Sequence, residues 1–167
     1  MLRSDASRVA LFPLDIGHTD LVLAWRSDPI VSWQLFSQRP PTRSEHLAFL
    51  RSLAGNPNRR EFVIGLHDGL AIGTVGLSGI TAEQAEYGIL IGDRNFRGKG
   101  YAFEASQAIL RYAFEDLSLS RVVLNCFADN LPAMKLYIRL GFETTAEGFR
   151  MKDGQNRPTA EMMKRAS

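Results

Sequence analysis

Short runs of alternating apolar and polar residues, separated by turn residues, occupy the first half of the chain. The segment 60–80 contains two such runs, and His67-Asp68-Gly69 lies between them. Asp-Gly is a strong hairpin signal because both residues tolerate the positive φ angles of a tight turn. A third run covers residues 85–92. The three runs predict an antiparallel meander, preceded by a first strand over residues 8–14.

Helix-start signals indicate two helices on the N-terminal side of this meander. Thr19 is predicted to cap a short helix that Pro29 ends, because proline lacks the amide hydrogen that a continuing helix needs. Thr42 and Glu45 have the spacing of a capping box, in which each side chain accepts a hydrogen bond from the other residue's backbone amide. They predict the start of a helix over residues 43–54.

The second half of the chain changes to a helical period. One apolar stripe predicts an amphipathic helix with its buried positions at Ala105, Ile109, Tyr112, Ala113 and Leu117. Residues 121–127 predict a strand, and because a helix separates it from the strand at 85–92, the two should pair in parallel. A further helix is expected to be capped by Asn130 and to end at Gly141.

The C-terminal segment predicts two weaker strands around Asp153-Gly154, and Pro158 indicates that the second one lies at a sheet edge. No repeat or linker interrupts the chain. These elements predict a mixed α/β (α+β) fold formed by a single domain over residues 1–167. Its sheet should be mixed and mostly antiparallel, with helices on both faces.

Composition narrows the class of protein. The chain of 167 residues is 45% hydrophobic with a formal net charge of +2, which does not favour a nucleic-acid partner. Cys126 is the only cysteine and lies in an apolar run, where we expect it to be buried. The three histidines are too scattered to indicate a metal site. No apolar run reaches the roughly 18 residues that span a membrane, and no signal-peptide core is evident, so we expect a cytoplasmic protein.

A glycine-rich loop precedes the amphipathic helix, with the sequence Arg97-Gly98-Lys99-Gly100-Tyr101-Ala102. It is not a P-loop, because Gly100 stands where a hydroxyl residue should follow the lysine. It is not a dinucleotide fingerprint either, because Phe103 occupies the third small position. Glycines at a helix start expose backbone amides, which bind phosphate groups together with the helix dipole, and Arg97 and Lys99 add positive charge. A flexible connector is the alternative that this loop alone leaves open.

Two motifs together carry a family resemblance. The loop matches the (Gln/Arg)-x-x-Gly-x-(Gly/Ala) pattern of the GNAT superfamily of N-acetyltransferases. The segment 130–148 resembles that family's Asn-x-x-Ala-x-x-x-Tyr-x-x-x-Gly-Phe segment, with matching residues Asn130, Ala133, Tyr137, Gly141 and Phe142. The predicted element order also follows the family, so the resemblance covers nearly the whole chain, with the C-terminal segment as its poorest match.

The resemblance implies a GNAT acyl-CoA N-acyltransferase fold that uses acetyl-CoA as co-substrate and no metal. A primary amine would attack the thioester directly in a ternary complex. The central strand should diverge from its neighbour near Leu90, Ile91 and Gly92, where freed backbone groups would hold the pantetheine arm and one amide would face the thioester oxygen. The pyrophosphate should bind at the loop, on Arg97, Gly98, Lys99, Gly100, Tyr101 and Ala102.

The resemblance also assigns roles beyond the loop. Asn130 should contact the coenzyme arm while capping its helix, and Tyr137 should protonate the departing thiolate. A tyrosine packed in the core is the alternative for Tyr137. Glu86, at the start of the central strand, is the first candidate for the general base, and a solvated strand-end charge is its alternative. Asp129 and His46 are weaker candidates, and we expect His46 on the surface of its helix.

The segment before the meander is expected to select the acceptor, and substrate binding is assigned to Trp25, Arg26 and Trp33. Aromatic rings can stack on a planar ligand, and arginine can bind phosphate in a bidentate manner. Packing of Trp25 in the core with a structural Arg26 is the alternative. The arginine excess in this segment favours a phosphate-bearing amine such as an amino-sugar nucleotide. The segment resembles those of nucleotide-sugar N-acetyltransferases of the pseudaminic acid pathway, and of ribosomal-protein alanine and polyamine acetyltransferases.

Three other functions stay open from the sequence. The acceptor of an acetyltransferase could instead be a protein N-terminal alanine or a polyamine, and a non-enzymatic acetyl-CoA sensor would keep the fold without the chemistry. Tyr137 argues against the sensor, because a degenerate enzyme has no reason to retain a proton donor. We expect an amine acceptor as partner, with no nucleic acid or membrane, and the sequence does not distinguish a monomer from a homodimer.

Overall fold

A seven-stranded mixed sheet forms the centre of the computed structural model, which describes residues 1–2 and 7–167. The strands are β1 Val9–Pro13, β2 Arg60–Leu66, β3 Ala71–Ser78, β4 Gln84–Ile91, β5 Arg121–Phe127, β6 Glu143–Lys152 and β7 Gln155–Arg165. Their order in the sheet is β1-β2-β3-β4-β5-β7-β6. Only the β4–β5 pair is parallel among these strands. The prediction of a mixed, mostly antiparallel sheet is confirmed.

Helices cover both faces of this sheet. They are α1 Thr19–Ser27, α2 Pro29–Gln34, α3 Arg43–Leu53, α4 Tyr101–Arg111 and α5 Leu131–Arg139. On one face Tyr87 of β4 hydrogen-bonds Ser106 of α4 at 2.5 Å and meets the Tyr137 ring of α5 edge-on. On the other face α1 contacts β3. The predicted stripe is confirmed in α4 for Ala105 and Ile109, which are completely buried. Its other members follow the end of α4 in or next to a π-helical turn, where Ala113 is completely buried and Tyr112 and Leu117 are partly buried.

Most local signals act as predicted, because they depend on residues close in sequence. The Asp-Gly turn joins β2 to β3, and Gly69 has a φ of +88°. Thr42 accepts a hydrogen bond from the Glu45 amide, and Glu45 accepts one from the Thr42 amide at 2.7 Å. Asn130 caps α5, and Gly141 follows that helix with a φ of +87°.

One prediction in the N-terminal helical region is wrong, and a second one is incomplete. Thr19 is the first residue of α1 rather than its cap, because Asp15 caps a short 3-10 turn over Ile16–His18 that leads directly into the helix. Pro29 does follow the end of α1, but it also opens α2 as that helix's first residue. Proline suits this position since the first turn needs no amide hydrogen, and Asp28 caps the new helix through the Ile30 amide at 3.0 Å.

The predicted edge position of Pro158 is also wrong. Its strand, β7, lies between β5 and β6, and β6 is the edge strand. The proline is tolerated because pairing of β7 with β5 ends at Phe127↔Thr159, one residue away. The Pro158 carbonyl still accepts a hydrogen bond from the Ala128 amide at 2.9 Å.

Two further observations concern membranes and metal ions. None of their helices combines the length and the apolar composition that crossing a membrane requires. No group of three or more His, Cys, Asp or Glu side chains lies together as a metal site within residues 1–2 and 7–167. Residues 3–6, which belong to the N-terminal segment inspected for a signal peptide, lie outside the described residues.

Candidate active site

The two central strands, β4 and β5, separate after a short stretch of pairing. Their parallel register contains three residue pairs, of which Glu86↔Val123 is the last. Beyond it β4 stays paired with β3 as far as Ile91, while β5 stays paired with β7. The β5-facing edge of β4 beyond Glu86 therefore has no strand partner among the described residues. The predicted divergence of the central strands is confirmed.

This gap opens into a cavity of about 970 Å³, a size typical of sites for cofactors and small molecules. Its wall includes most of the residues predicted from sequence: Arg26, Glu86, Leu90, Ile91, Arg97, Gly98, Gly100, Tyr101, Ala102, Asn130 and Tyr137. Trp25, Trp33, Gly92 and Lys99 are not part of this wall. One end of the cavity thus meets α4 and α5, and the other end meets α1 and α2.

The glycine loop has the geometry of an anion site at the start of α4. Gly98 and Gly100 have φ angles of +71° and +87°, a left-handed conformation that other residues rarely adopt. Gly100 is the N-cap of α4, and no side chain caps the helix there. The first-turn amides therefore stay open to an anion at the positive end of the helix dipole.

Arg8, which was not predicted from sequence, adds a cation beside this loop. Its Nη2 donates a hydrogen bond to the Lys99 carbonyl at 2.9 Å, and its guanidinium lies 4.2 Å from the centroid of the Tyr101 ring. Glu104 holds the guanidinium in place through an ion pair of 2.5 Å. Arg8 lies 91 positions before Lys99, so no local pattern could have placed it there.

The Arg97 side chain bonds to the end of β4 and to α2 rather than to the glycine loop. It donates to the Ile91 carbonyl at 3.0 Å, to the Gly92 carbonyl at 2.6 Å and to Asp28 Oδ2 at 3.0 Å. Arg97 holds the pKa of the Asp28 carboxyl below its ordinary value, together with the Ile30 amide. Its charge is therefore paired, and its side chain ties the end of β4 to the cap of α2.

Tyr137 combines a packed ring with an available hydroxyl. The residue is 8% exposed, and its ring meets those of Tyr87 and Phe142 edge-on at centroid distances of 6.0 and 6.1 Å. No hydrogen bond to its hydroxyl is formed by any residue that the structure describes, and the side chain lines the cavity. Burial, with a smaller effect of Cys126, raises the pKa of Tyr137 far above its ordinary value. The phenol therefore keeps its proton at neutral pH.

Cys126 is buried as predicted, and we expect it to resist alkylation in the folded protein. It is 7% exposed, and burial raises its pKa from 9.0 to about 11. Because only the thiolate reacts, this rise lowers the reactive fraction about 100-fold. Labelling with iodoacetamide at pH 8, followed by mass spectrometry, should show a correspondingly slower reaction than in the urea-unfolded chain. Equal rates in the two states would contradict the buried, neutral thiol.

The three candidate bases have different surroundings. Glu86 is exposed on the cavity wall and accepts a hydrogen bond from Asn125 Nδ2 at 3.3 Å. Asp129 accepts two hydrogen bonds from Arg157, at 2.5 and 2.9 Å, and Arg157 lowers the pKa of this carboxyl. Asp129 is therefore a poor proton acceptor. His46 is 4% exposed, so its predicted surface position is wrong, and burial lowers its pKa.

Both tryptophans assigned to the acceptor have packing roles instead. Trp25 is buried, and a Cβ added to Gly92 would lie 2.1 Å from atoms of its indole, so the ring covers the end of β4. The Trp33 ring lies 4.1 Å from the Arg157 guanidinium, which also donates to the Trp33 carbonyl. The structure therefore favours the core alternative for Trp25 and brings neither ring to the cavity.

Arg26 does lie on the cavity wall. Its Nη2 donates to Ser37 Oγ at 3.4 Å, whereas its buried Nε has no hydrogen-bond partner among the described residues. Burial lowers the pKa of Arg26, and the nearby Glu61 carboxylate opposes this shift. No ion pair with Arg26 is formed within the described part of the chain.

Glu61 lies on the cavity wall and was not among the residues predicted from sequence. Its side chain is 16% exposed, and its Oε1 accepts a hydrogen bond from Arg59 Nε at 2.8 Å. Burial raises the pKa of Glu61, while Arg59 and then Arg26 act in the opposite direction. Alternation along a strand puts Glu61 on the same face of β2 as Val63, but the local sequence does not indicate which residue lies beside it.

Comparison with known proteins identifies the family of this chain. Residues 8–143 match the family model described as an acetyltransferase (GNAT) domain. The acetyltransferase PseH of Campylobacter jejuni subsp. jejuni serotype O:23/36 is 30% identical over 124 residues, which cover 74% of this chain and 76% of that protein. The N-acetyltransferase p20 of Bacillus licheniformis is 31% identical over 144 residues, covering 81% of this chain and 79% of that protein.

A solved structure shows the same fold. The spermidine N-acetyltransferase from Vibrio cholerae, crystallised in complex with CoA and spermine, has a TM-score of 0.89. The match covers 95% of each chain at 22% sequence identity, so it establishes the fold alone. The family model covers most of the chain and the relatives extend over most of their own length. The chain therefore belongs to the GNAT family of acetyltransferases.

Proposed function

We propose that this acetyl-CoA-dependent N-acetyltransferase acetylates the primary amine of a phosphate-bearing small molecule, such as an amino-sugar nucleotide. Arg26 carries the proposal, because its guanidinium lies on the cavity wall without an ion-pair partner in the described part of the chain. Removing a charge from water without a partner costs free energy, and a phosphate would offset that cost through charge-assisted hydrogen bonds. Arg59 lies on the same wall, where it pairs with Glu61.

The coenzyme is proposed to occupy the α4–α5 end of the cavity. The open amides at the start of α4 would bind its pyrophosphate, and the unpaired edge of β4 would hold its pantetheine arm as a neighbouring strand does. The residues proposed to bind it are Leu90, Ile91, Gly92, Arg97, Gly98, Lys99, Gly100, Tyr101, Ala102, Asn130 and Tyr137. Gly92 and Arg97 contribute by shaping the end of β4.

The reaction proposed here is direct attack of the neutral amine on the thioester carbon. A C–N bond forms, and a backbone amide of β4 stabilises the oxyanion. The C–S bond then breaks, and the Tyr137 hydroxyl gives its proton to the thiolate. Glu86 is the proton acceptor predicted from sequence. We propose that the single domain over residues 1–167 carries out this reaction, and its cytoplasmic location stays a prediction.

A polyamine is the second candidate acceptor. Glu61 and Glu86 both line the cavity, and a polycation requires carboxylates. A protein N-terminal alanine has no comparable observation in its favour. Membership of the acetyltransferase family, together with the retained Tyr137, leaves the non-enzymatic sensor without support.

Steady-state assays of the purified protein should rank an amino-sugar nucleotide above spermidine and an alanine-starting peptide by kcat/KM. Arg26→Gln should raise the KM for the phosphate-bearing acceptor about 10- to 100-fold, the effect of one or two charge-assisted hydrogen bonds. The KM for acetyl-CoA should change by less than about twofold, since Arg26 lies at the other end of the cavity.

Arg43→Gln is the matched control for this prediction. Arg43 begins α3, is exposed and pairs with Asp20 outside the cavity, so all three acceptors should keep their parent kinetics. A KM for the nucleotide that is equal in Arg26→Gln and in the parent would contradict the proposed phosphate contact. Spermidine as the best acceptor would contradict the proposed substrate class.

A further inference from the structure

One glutamate and two glycines lie side by side on the neighbouring strands β2, β3 and β4. Glu61 of β2 pairs with Gly76 of β3, and Gly76 pairs with Gly88 of β4. Directly opposed residues in neighbouring strands share a face of the sheet. A Cβ on Gly76 would lie 2.3 Å from Glu61 Oε2, so the carboxylate lies over the Gly76 backbone. A Cβ on Gly88 would meet no described atom within 4 Å, which leaves open space beside the carboxylate.

This row brings Glu61 close to the central strand. Neighbouring strands lie about 4.8 Å apart, so the carboxylate over Gly76 is roughly one strand spacing from Gly88. Gly88 and Leu90 share the same face because side chains alternate along a strand. Leu90 belongs to the unpaired edge that is proposed to hold the thioester arm. An amine in the open space over Gly88 would therefore lie between Glu61 and the thioester.

The surroundings of Glu61 leave one of its carboxylate oxygens available to an amine. Its Oε1 accepts a hydrogen bond from Arg59, whereas its Oε2 has no hydrogen-bond partner in the part of the chain that the structure describes. Arg26 of α1 lies nearby, His46 of α3 lies close to Arg26, and Glu86 of β4 is the other carboxylate on the wall. Burial raises the pKa of Glu61 against the effect of the two arginines. A carboxylate in these surroundings accepts a proton more readily than one in water.

We propose that Glu61 binds the ammonium group of the acceptor and takes its proton, directly or through one water molecule. One N–H bond breaks, the carboxylate becomes a carboxylic acid, and a neutral amine remains. The amine lone pair attacks the thioester carbon, the C–S bond breaks, and Tyr137 gives its proton to the thiolate. The amide nitrogen returns its surplus proton to the Tyr137 phenolate, and Glu61 releases its proton to water. The products are an amide, a thiol and one proton. This inference rests on the proposed position of the coenzyme but holds for any primary amine.

The test compares Glu61→Gln with Glu86→Gln across pH 7 to 9.5, using the panel amine with the highest kcat/KM. Glu61→Gln should lower kcat/KM at pH 7 about 100-fold, because the amine must then lose its proton to bulk water. The parent rate should level at a lower pH than the variant rate, because the carboxylate takes the proton from the bound ammonium group, whereas the variant relies on bulk water. The variant should instead gain about tenfold per pH unit as the free-amine fraction grows. Glu83→Gln is the matched control, because its carboxylate pairs with Arg121 outside the cavity wall, and it should keep the parent kcat/KM at every pH.

Several outcomes would overturn the proposal. If kcat/KM of Glu61→Gln falls by the same factor at every pH, Glu61 has a structural role only. If kcat/KM of Glu61→Gln equals that of the parent, Glu61 has no role. A loss confined to Glu86→Gln that recovers at high pH would assign the proton to Glu86. Calorimetry should find acetyl-CoA binding unchanged in Glu61→Gln, which separates a failure to fold from a failure of proton transfer.

Glu61→Asp decides the question if the glutamine variant does not fold. Aspartate keeps the charge beside Arg59 but withdraws the carboxylate by one methylene group, so kcat/KM should fall about tenfold while the parent pH profile is retained. A parent value of kcat/KM for Glu61→Asp would reject the proposal. Because the assay uses the best amine of the panel, rejection of Glu61 and rejection of the phosphate-bearing acceptor are separate results.

Discussion

Replacing Tyr137 by phenylalanine is expected to lower kcat about 10²- to 10⁴-fold, the usual contribution of a positioned general acid. The thiolate would then leave without a proton donor. Coenzyme binding should be retained, because the ring contacts with Tyr87 and Phe142 do not involve the hydroxyl. Stability should also be nearly unchanged, since no described residue hydrogen-bonds that hydroxyl. Initial rates of thiol release give kcat, and calorimetry gives the affinity for acetyl-CoA.

Tyr112→Phe is the matched control, because it removes the same hydroxyl from a ring that packs against Phe62 outside the cavity. It should turn over at the parent rate. Burial raises the pKa of Tyr137, so the acid stays protonated at and above neutral pH, and activity should not fall on the alkaline side up to about pH 9.5. A parent rate in Tyr137→Phe would show that the phenol is a packing residue alone.

Replacing Gly100 by valine is expected to weaken acetyl-CoA binding about 100-fold, or roughly 2.7 kcal/mol. That loss corresponds to one or two hydrogen bonds to a charged group. The φ of +87° at Gly100 is unfavourable for valine, and a Cβ there would lie 3.2 Å from Arg8 Nη2. The loop must therefore shift, and the first-turn amides of α4 would no longer converge on the pyrophosphate. Calorimetry with acetyl-CoA measures the loss.

Gly154→Val separates this effect from general backbone strain. Gly154 has a φ of +78° at the tip of the β6–β7 hairpin and lies outside the cavity wall. The control variant carries similar strain but should bind acetyl-CoA as the parent does. Unchanged coenzyme affinity in a folded Gly100→Val protein would reject the loop as the pyrophosphate site.

The sequence by itself determined the elements whose causes are local. The Asp68-Gly69 turn, the Thr42–Glu45 capping box and the Asn130 cap each depend on residues within four positions of one another. The same holds for the glycine loop and the segment around Tyr137, whose spacing carried the family resemblance. Local competition explains the error at Thr19, because Asp15 offered an earlier cap that led into the same helix.

Only the tertiary structure decided which side chains meet across the sheet and at its ends. Alternation along β2 assigned Glu61 to a face, but the register with β3 and β4 placed it over Gly76 and beside the open space at Gly88. The pairing of Asp129 with Arg157 likewise joins residues 28 positions apart. A periodic pattern reports which face a residue occupies, whereas the identity of its neighbours depends on strand register and helix packing between distant segments. The glycine loop could therefore be predicted from sequence, and the neighbours of Glu61 could not.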